Sequence, residues 1–378
     1  MNKNFFQALA VLIGTIIGVG LFSLPYITSK VGIWVMLVYF LVLGSVIILV
    51  KFFYGEVALQ TQGQHRLPGY AEKYLGKWGK RIAILSSLVG LIGSLLAYLI
   101  IGGGFLFYLL NPIFGGSSFI YTLIYFSFGA FLIYLGVKSI AKAEFFLLIL
   151  FFVALGLIFK YGFSFINLNH LFVFNPKFLF LPYGAVLFSL SGITLIPEVK
   201  ELLFGNSKDL KKVTFLAVLI SGITYLIFIF LILGISGQNT SVDAISGLNN
   251  FLGNRLIGLA LIFGVLTTFT SFLTLGLTLK KILWYDLKIG KELSWALACF
   301  APLVLFVLGM KDFIGVISFT GGVMGGISII IIILMYLKIK KRLEIKPSYV
   351  ISLSRAFAYF LILFFILGII YEIIYFVK

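Results

Sequence analysis

Acidic residues are scarce. Only 12 Asp and Glu stand against 29 Lys and Arg in 378 residues, and charged residues of either sign make up 11%. A soluble domain carries about a quarter charged residues, so this chain lacks the shell that a water-exposed fold needs. Cysteine occurs once, at Cys299 inside an apolar run, which excludes a disulfide framework and a thiolate metal cluster. The two histidines, His65 and His170, stand far apart and argue against a His-based metal centre. Proline is rare, with 8 residues, so long helices can run unbroken. Polar low-complexity stretches are also missing, which leaves no sign of a separate soluble domain.

What fills the chain instead is apolar. Hydrophobic residues make up 61%, 42 of them Phe, and the mean hydropathy is +1.17. The surplus apolar surface must face lipid, and a span needs about 20 apolar residues. The runs predict eleven spans, at 5–29, 32–55, 81–110, 117–137, 143–163, 178–203, 211–236, 255–282, 293–309, 313–337 and 350–376. The expected fold class is an all-α polytopic membrane protein with a single transmembrane domain over 1–378. The first run follows Lys3 like a secretory signal, but it is too long and lacks a small-residue cleavage site. A net charge of +17 would suggest nucleic acid as partner for a soluble protein. Here it reads as a topology signal and as attraction to anionic lipid headgroups. With the N-terminus inside, Lys30, Lys160, Lys177, Arg255, Lys311 and Lys378 fall outside, and every other Lys and Arg inside. That bias predicts a cell (inner) membrane protein with a cytoplasmic N-terminus and an extracytoplasmic C-terminus.

Several loops carry readable signals. Pro68 can start a short helix after span 2 that Gly76 ends, with Tyr70, Tyr74 and Trp78 on one interfacial face. Ser207 reads as the cap of span 7, and Ser241–Gly253 as an outer loop with room for a short lid helix. Glu372 reads as interfacial.

The first span holds Gly14-Thr15-Ile16-Ile17-Gly18-Val19-Gly20, running on to Pro25. Each interior Gly costs a helix about 1 kcal/mol relative to Ala. Span 6 holds Phe188-Ser189-Leu190-Ser191-Gly192, then Pro197-Glu198. Span 1 is followed by four spans and span 6 by four before the last, so spans 1 and 6 run in opposite directions. Interrupted segments at matching places in two inverted halves point to the binding site of a secondary transporter. The halves would be 5–163 and 178–337, with 350–376 as an extra helix.

The Gly14–Pro25 stretch resembles the first-helix signature of the amino acid–polyamine–organocation superfamily. Pro68-Gly-Tyr-Ala-Glu-Lys-Tyr-Leu-Gly-Lys-Trp78 is similar to its loop after helix two. Thr270-Ser-Phe-Leu-Thr-Leu-Gly276 with Asp286, and Ser191-Gly192 with Ile196-Pro197-Glu198, resemble helices eight and six of the aromatic and hydroxy amino acid permeases. The resemblance implies a five-plus-five inverted-repeat transporter fold with broken helices 1 and 6, and cation-coupled amino acid uptake.

The residues themselves suggest the same chemistry. A break near Ile17–Gly20 would start an outer half-helix whose first N–H groups suit a carboxylate. Thr15, Ile17, Gly18, Val19 and Gly20 are the expected substrate residues there, though Gly14-x-x-x-Gly18 could equally be a packing face. In span 6, Ser189, Ser191 and Gly192 would offer carbonyls and hydroxyls to an ammonium, and Phe188 would cover the ligand. Tyr98 in span 3 would add an aromatic wall and a hydroxyl. The resemblance places Thr270 and Ser271 opposite the carbonyls of Gly14 and Ile17, at a sodium-type site. Embedded hydroxyls also bond their own preceding turn. Some members of the superfamily use a Lys of helix five instead, but span 5 carries only Lys142 and Lys160, near its ends. Glu56 and Glu198 lie at membrane depth, which makes them candidates for proton coupling, unless Lys51 and Lys200 neutralise them.

The expected function is a secondary active transporter importing a neutral, aromatic or hydrophobic amino acid on a proton or sodium gradient. No cofactor beyond that ion is expected. The alternatives are a gradient-independent amino acid or amine exchanger on the same fold and, remotely, a membrane-embedded transferase. Short inner loops without clustered acids speak against the transferase and against an enzyme of any kind.

Overall fold

The computed structural model describes residues 3–63, 65–136, 140–251, 253–342 and 354–377. Among these the chain is helical. The helices are α1 (Lys3–Ile16), α2 (Gly20–Val31), α3 (Ile33–Leu59), α4 (Leu67–Phe114), α5 (Ser118–Leu135), α6 (Ile140–Gly162) and α7 (Pro182–Leu190). They continue as α8 (Ile196–Leu202), α9 (Ser207–Ser236), α10 (Asn254–Lys281), α11 (Lys291–Val307), α12 (Phe313–Ser318), α13 (Gly326–Arg342) and α14 (Arg355–Val377). Among the described residues eight segments are long and apolar enough to cross a membrane, nine when α1 and α2 count as one bent span. The two other expected spans fall on α6 and on α11, which has 17 residues. The start of the last expected span, within 343–353, lies outside the described residues, as does Lys378.

Local chemistry places the boundaries. Pro68 sits in the first turn of α4, where its missing N–H is harmless, and Gly76 kinks α4 with φ 78°. That kink breaks the expected aromatic face. Tyr70 is buried edge-on against Tyr54, Tyr74 shares a hydrogen bond with Thr61, and Trp78, beyond the kink, is exposed. The cap of α9 is Asn206 rather than Ser207: its side chain accepts the Asp209 N–H at 3.2 Å. In the outer loop the expected lid is one 3-10 turn, Ser246–Asn250.

Lysines from the expected inner set end helices other than their own. Lys200 Nζ donates to Ala58 O at 2.6 Å at the end of α3. Lys280 Nζ donates to Ile133 O and Tyr134 O at the end of α5. A cation there satisfies carbonyls that have no helical partner and offsets the negative end of the helix dipole. Charge counting treats such residues as loop signals, whereas packing makes them caps.

The two interrupted spans lie together. α2 packs on α7, and α1 on α8. The second half of span 1 therefore meets the first half of span 6 and the reverse, so the two spans run antiparallel and their breaks sit side by side. α9 packs along both α1 and α2 and flanks the crossing.

Candidate functional site

The first break spans residues 17–19, and α1 and α2 meet there at 48°. The Gly18 N–H turns back to Ile16 O at 2.8 Å. The Leu21 and Phe22 amides close short turns onto Gly18 O and Val19 O, both at 3.1 Å. Among the described residues the amides of Val19 and Gly20 have no acceptor. These are the first donors of α2, at its positive end.

The glycines here permit close approach. A Cβ on Gly18 would collide with the Tyr98 hydroxyl and stand 3.6 Å from Ser271 Oγ. A Cβ on Gly20 would come 2.9 Å from Ser189 Cα, in the second break.

The second break follows Leu190. Ser191 leaves helical geometry (ψ −90°), and Gly192 has φ 50°, in the left-handed region. One 3-10 turn then leads to Pro197 in the first turn of α8. The freed carbonyls are already engaged. The Tyr225 hydroxyl of α9 bridges Ile16 O in the first break and Ser189 O in the second, the latter at 2.9 Å. Lys51 Nζ of α3, fully buried, donates to Leu190 O at 3.2 Å. Ser189 Oγ bonds Ala185 O on its own helix at 2.8 Å. Of the acceptors expected for an ammonium, Ser189 is thus held by the protein, as is its neighbour Leu190 O.

A cavity of about 110 Å³ joins the two breaks. Thr15, Gly18, Gly20, Tyr98, Phe188, Ser189, Ser191 and Gly192 line it, while Ile17 and Val19 are buried behind it. Phe188 forms one wall, close to Gly321; a Cβ there would stand 2.7 Å from Phe188 Cβ. From the breaks the cavity continues along Ser94, Ser87 and Leu67 of α4 and Ser328 of α13. It therefore extends toward the side of the N-terminus. Ser87 and Ser94 line the cavity but carry no sequence signal that separates them from ordinary helix hydroxyls.

Other candidates fall elsewhere. Thr270 Oγ1 bonds its own helix, at Leu266 O and Thr267 O (3.3 and 3.2 Å). Ser271 is buried beside Gly18, and Gly14 lies on α1 before the break. Glu56 accepts from Gln60 Nε2 at 2.9 Å, so Lys51 does not neutralise it. Its other oxygen is buried without a partner among the described residues. Glu198 pairs with Arg66 at 3.1 Å, and Arg66 also reaches Glu201 at 3.2 Å, which ties the α4 entrance to α8. Glu372, expected at the interface, is 2% exposed and accepts the Gly184 N–H at 3.0 Å.

Three comparisons place this arrangement among known proteins. The model of the tryptophan/tyrosine permease family matches residues 1–372. The tyrosine-specific transport system 1 of Haemophilus influenzae is 27% identical over 329 residues, covering 82% of this chain and 81% of that protein. The crystal structure of MhsT in complex with L-phenylalanine superposes with a TM-score of 0.68 at 16% identity, covering 98% of this chain and 99% of that one. At that identity the likeness speaks for the fold, the five-plus-five inverted-repeat architecture with helices 1 and 6 broken.

Proposed function

This chain belongs to the tryptophan/tyrosine permease family and is a membrane transporter of amino acids rather than an enzyme; on that premise we propose that it imports a neutral aromatic amino acid on a cation gradient. The observation that carries the reading is the pair of unaccepted amides at Val19 and Gly20, at the start of a half-helix beside a cavity. An α-carboxylate fits those donors. Tyr98, Phe188 and Gly321 offer an aromatic side chain a wall in the cavity. The names of the relatives, one tyrosine-specific and one holding L-phenylalanine, favour the aromatic class.

The coupling cation is a proton or sodium. A sodium ion would be held by the carbonyls of Gly14 and Ile17 with Thr270 and Ser271; a proton could ride on Glu56 or Glu198. The membrane is the cell membrane, crossed by eleven spans, with the N-terminus in the cytoplasm. In that orientation the cavity opens inward.

Uptake of labelled tyrosine, phenylalanine and tryptophan into proteoliposomes tests the reading. Accumulation should require an imposed proton or sodium gradient. Counterflow that ignores both gradients would overturn coupled import and leave an exchanger. A reporter fused after Lys378 should read outside; a cytoplasmic signal would refute eleven spans.

A further inference from the structure

Both ends of α7, the outer half of span 6, are met by opposite charges from other spans. At its start Glu372 of α14 accepts the Gly184 N–H at 3.0 Å. At its end Lys51 of α3 donates to Leu190 O at 3.2 Å. A helix carries about half a positive charge at its N-terminus and half a negative charge at its C-terminus. Each ion therefore sits at the end of opposite sign. Both are buried, at 2% and 0% exposure. Among the described residues neither pairs with an oppositely charged side chain. Glycines make the room: a Cβ on Gly184 would stand 2.6 Å from Glu372 Oε1, and one on Gly322 3.0 Å from its Cδ.

Buried charges of this kind are expensive unless something compensates them. For both, the backbone of one nine-residue helix supplies compensation. α7 also carries the wall residue Phe188 and ends at the second break. Whatever frees α7 changes the cavity.

We propose that Glu372 and Lys51 clamp α7 by its dipole, and that loss of either charge, by protonating Glu372 or deprotonating Lys51, releases the half-helix for its movement in the transport cycle. Both are positioning residues, and the proposal rests on the transporter reading above. Other titratable groups near Lys51 have different engagements. Tyr225 bridges the two breaks, Glu56 bonds Gln60, and Glu198 and Glu201 hold Arg66. Lys200 caps α3, Lys211 lies over Phe52, Tyr54 packs on Tyr70, and Tyr336 stacks on Phe53. Tyr26 and Lys30 pair with each other on α2. Around Glu372 the titratable neighbours are tyrosines, namely Tyr39, Tyr183, Tyr371 and Tyr375, with Asp312 beyond Tyr375.

The test uses accessibility of the cavity. Cys299 is the chain's one cysteine, so Cys299→Ser with Ser328→Cys leaves a single thiol lining the cavity. Its labelling by a maleimide, normalised to the same thiol in denatured protein, reads the population with the cavity open. Labelling should peak at intermediate pH and fall roughly tenfold on each side. Glu372→Gln should lose the acid limb and Lys51→Met the alkaline limb, each labelling slowly. Lys51→Arg should keep fast labelling and lose the alkaline limb, because a guanidinium does not deprotonate. A flat profile in the starting protein, or both limbs retained in Glu372→Gln and Lys51→Met, would overturn the clamp. The starting profile and Lys51→Arg decide the matter even where a neutral variant does not fold. Phenylalanine added to the same assay should slow labelling; its failure to do so would count against the substrate reading and not against the clamp.

Discussion

The two breaks meet the same problem with different neighbours. A helix interrupted inside a membrane leaves backbone groups that lipid cannot satisfy. At the first break the orphans are donors, the amides of Val19 and Gly20, and the described residues offer them no acceptor. At the second break the protein itself meets two carbonyls, Ser189 O with Tyr225 and Leu190 O with Lys51. Span 1 presents two backbone donors at the start of a half-helix beside the cavity. Span 6 presents a braced hinge whose hydrogen bonds must change partners when it moves.

The largest test strikes the open break. Gly18→Leu, which displaces Tyr98, and Gly20→Leu, which strikes Ser189, should each weaken aromatic amino acid binding about a hundredfold or more in detergent. Binding retained in folded protein would reduce both glycines to packing and erase the contrast between the breaks. Next comes the group shared by the two. Tyr225→Phe keeps the ring but strips the hydroxyl from Ile16 O and Ser189 O. An unsatisfied buried acceptor costs about 1–3 kcal/mol, so thermal stability should drop measurably and binding weaken about tenfold. An unchanged melting temperature would mean that water replaces the bridge.

A smaller effect is expected at the braced side's inner end. Arg66→Ala removes a half-buried fork to Glu198 and Glu201, worth about 1 kcal/mol or less. Cavity labelling should change by roughly threefold, and high salt should mimic the variant in the parent protein. The smallest effect belongs to span 8. Thr270→Ala should change substrate binding in sodium-free medium by less than about twofold, because that hydroxyl bonds its own helix. A large loss without sodium would make Thr270 part of the substrate site.

Legibility followed the range of the interaction. The break in span 1 could be read to within a residue or two, because Gly18 and Gly20 act on their own backbone. Pro197 and Gly192 marked the second break in the same way. Short-range reading failed where a residue's partner was remote. Lys51 stands inside a 27-residue apolar helix and inside the expected span 32–55, yet charge bias counts it only as an inner-side positive residue. Tyr225 is one of 19 tyrosines, and nothing around it hints at a bridge. Glu372 was placed at the interface because it lies near the end of α14, while the glycines that admit it, Gly184 and Gly322, belong to other spans.

By itself, then, the sequence determined that the protein lives in lipid and where two of its spans fail as helices. These follow from transfer free energy and backbone propensity, which act within a turn or two of chain. Only the tertiary structure decided who completes the failed helices. Tyr225 reaches Ile16 across 209 residues, Glu372 reaches Gly184 across 188, and Lys51 reaches Leu190 across 139. Such pairings depend on which helix faces meet once the spans have packed, and no local pattern encodes that.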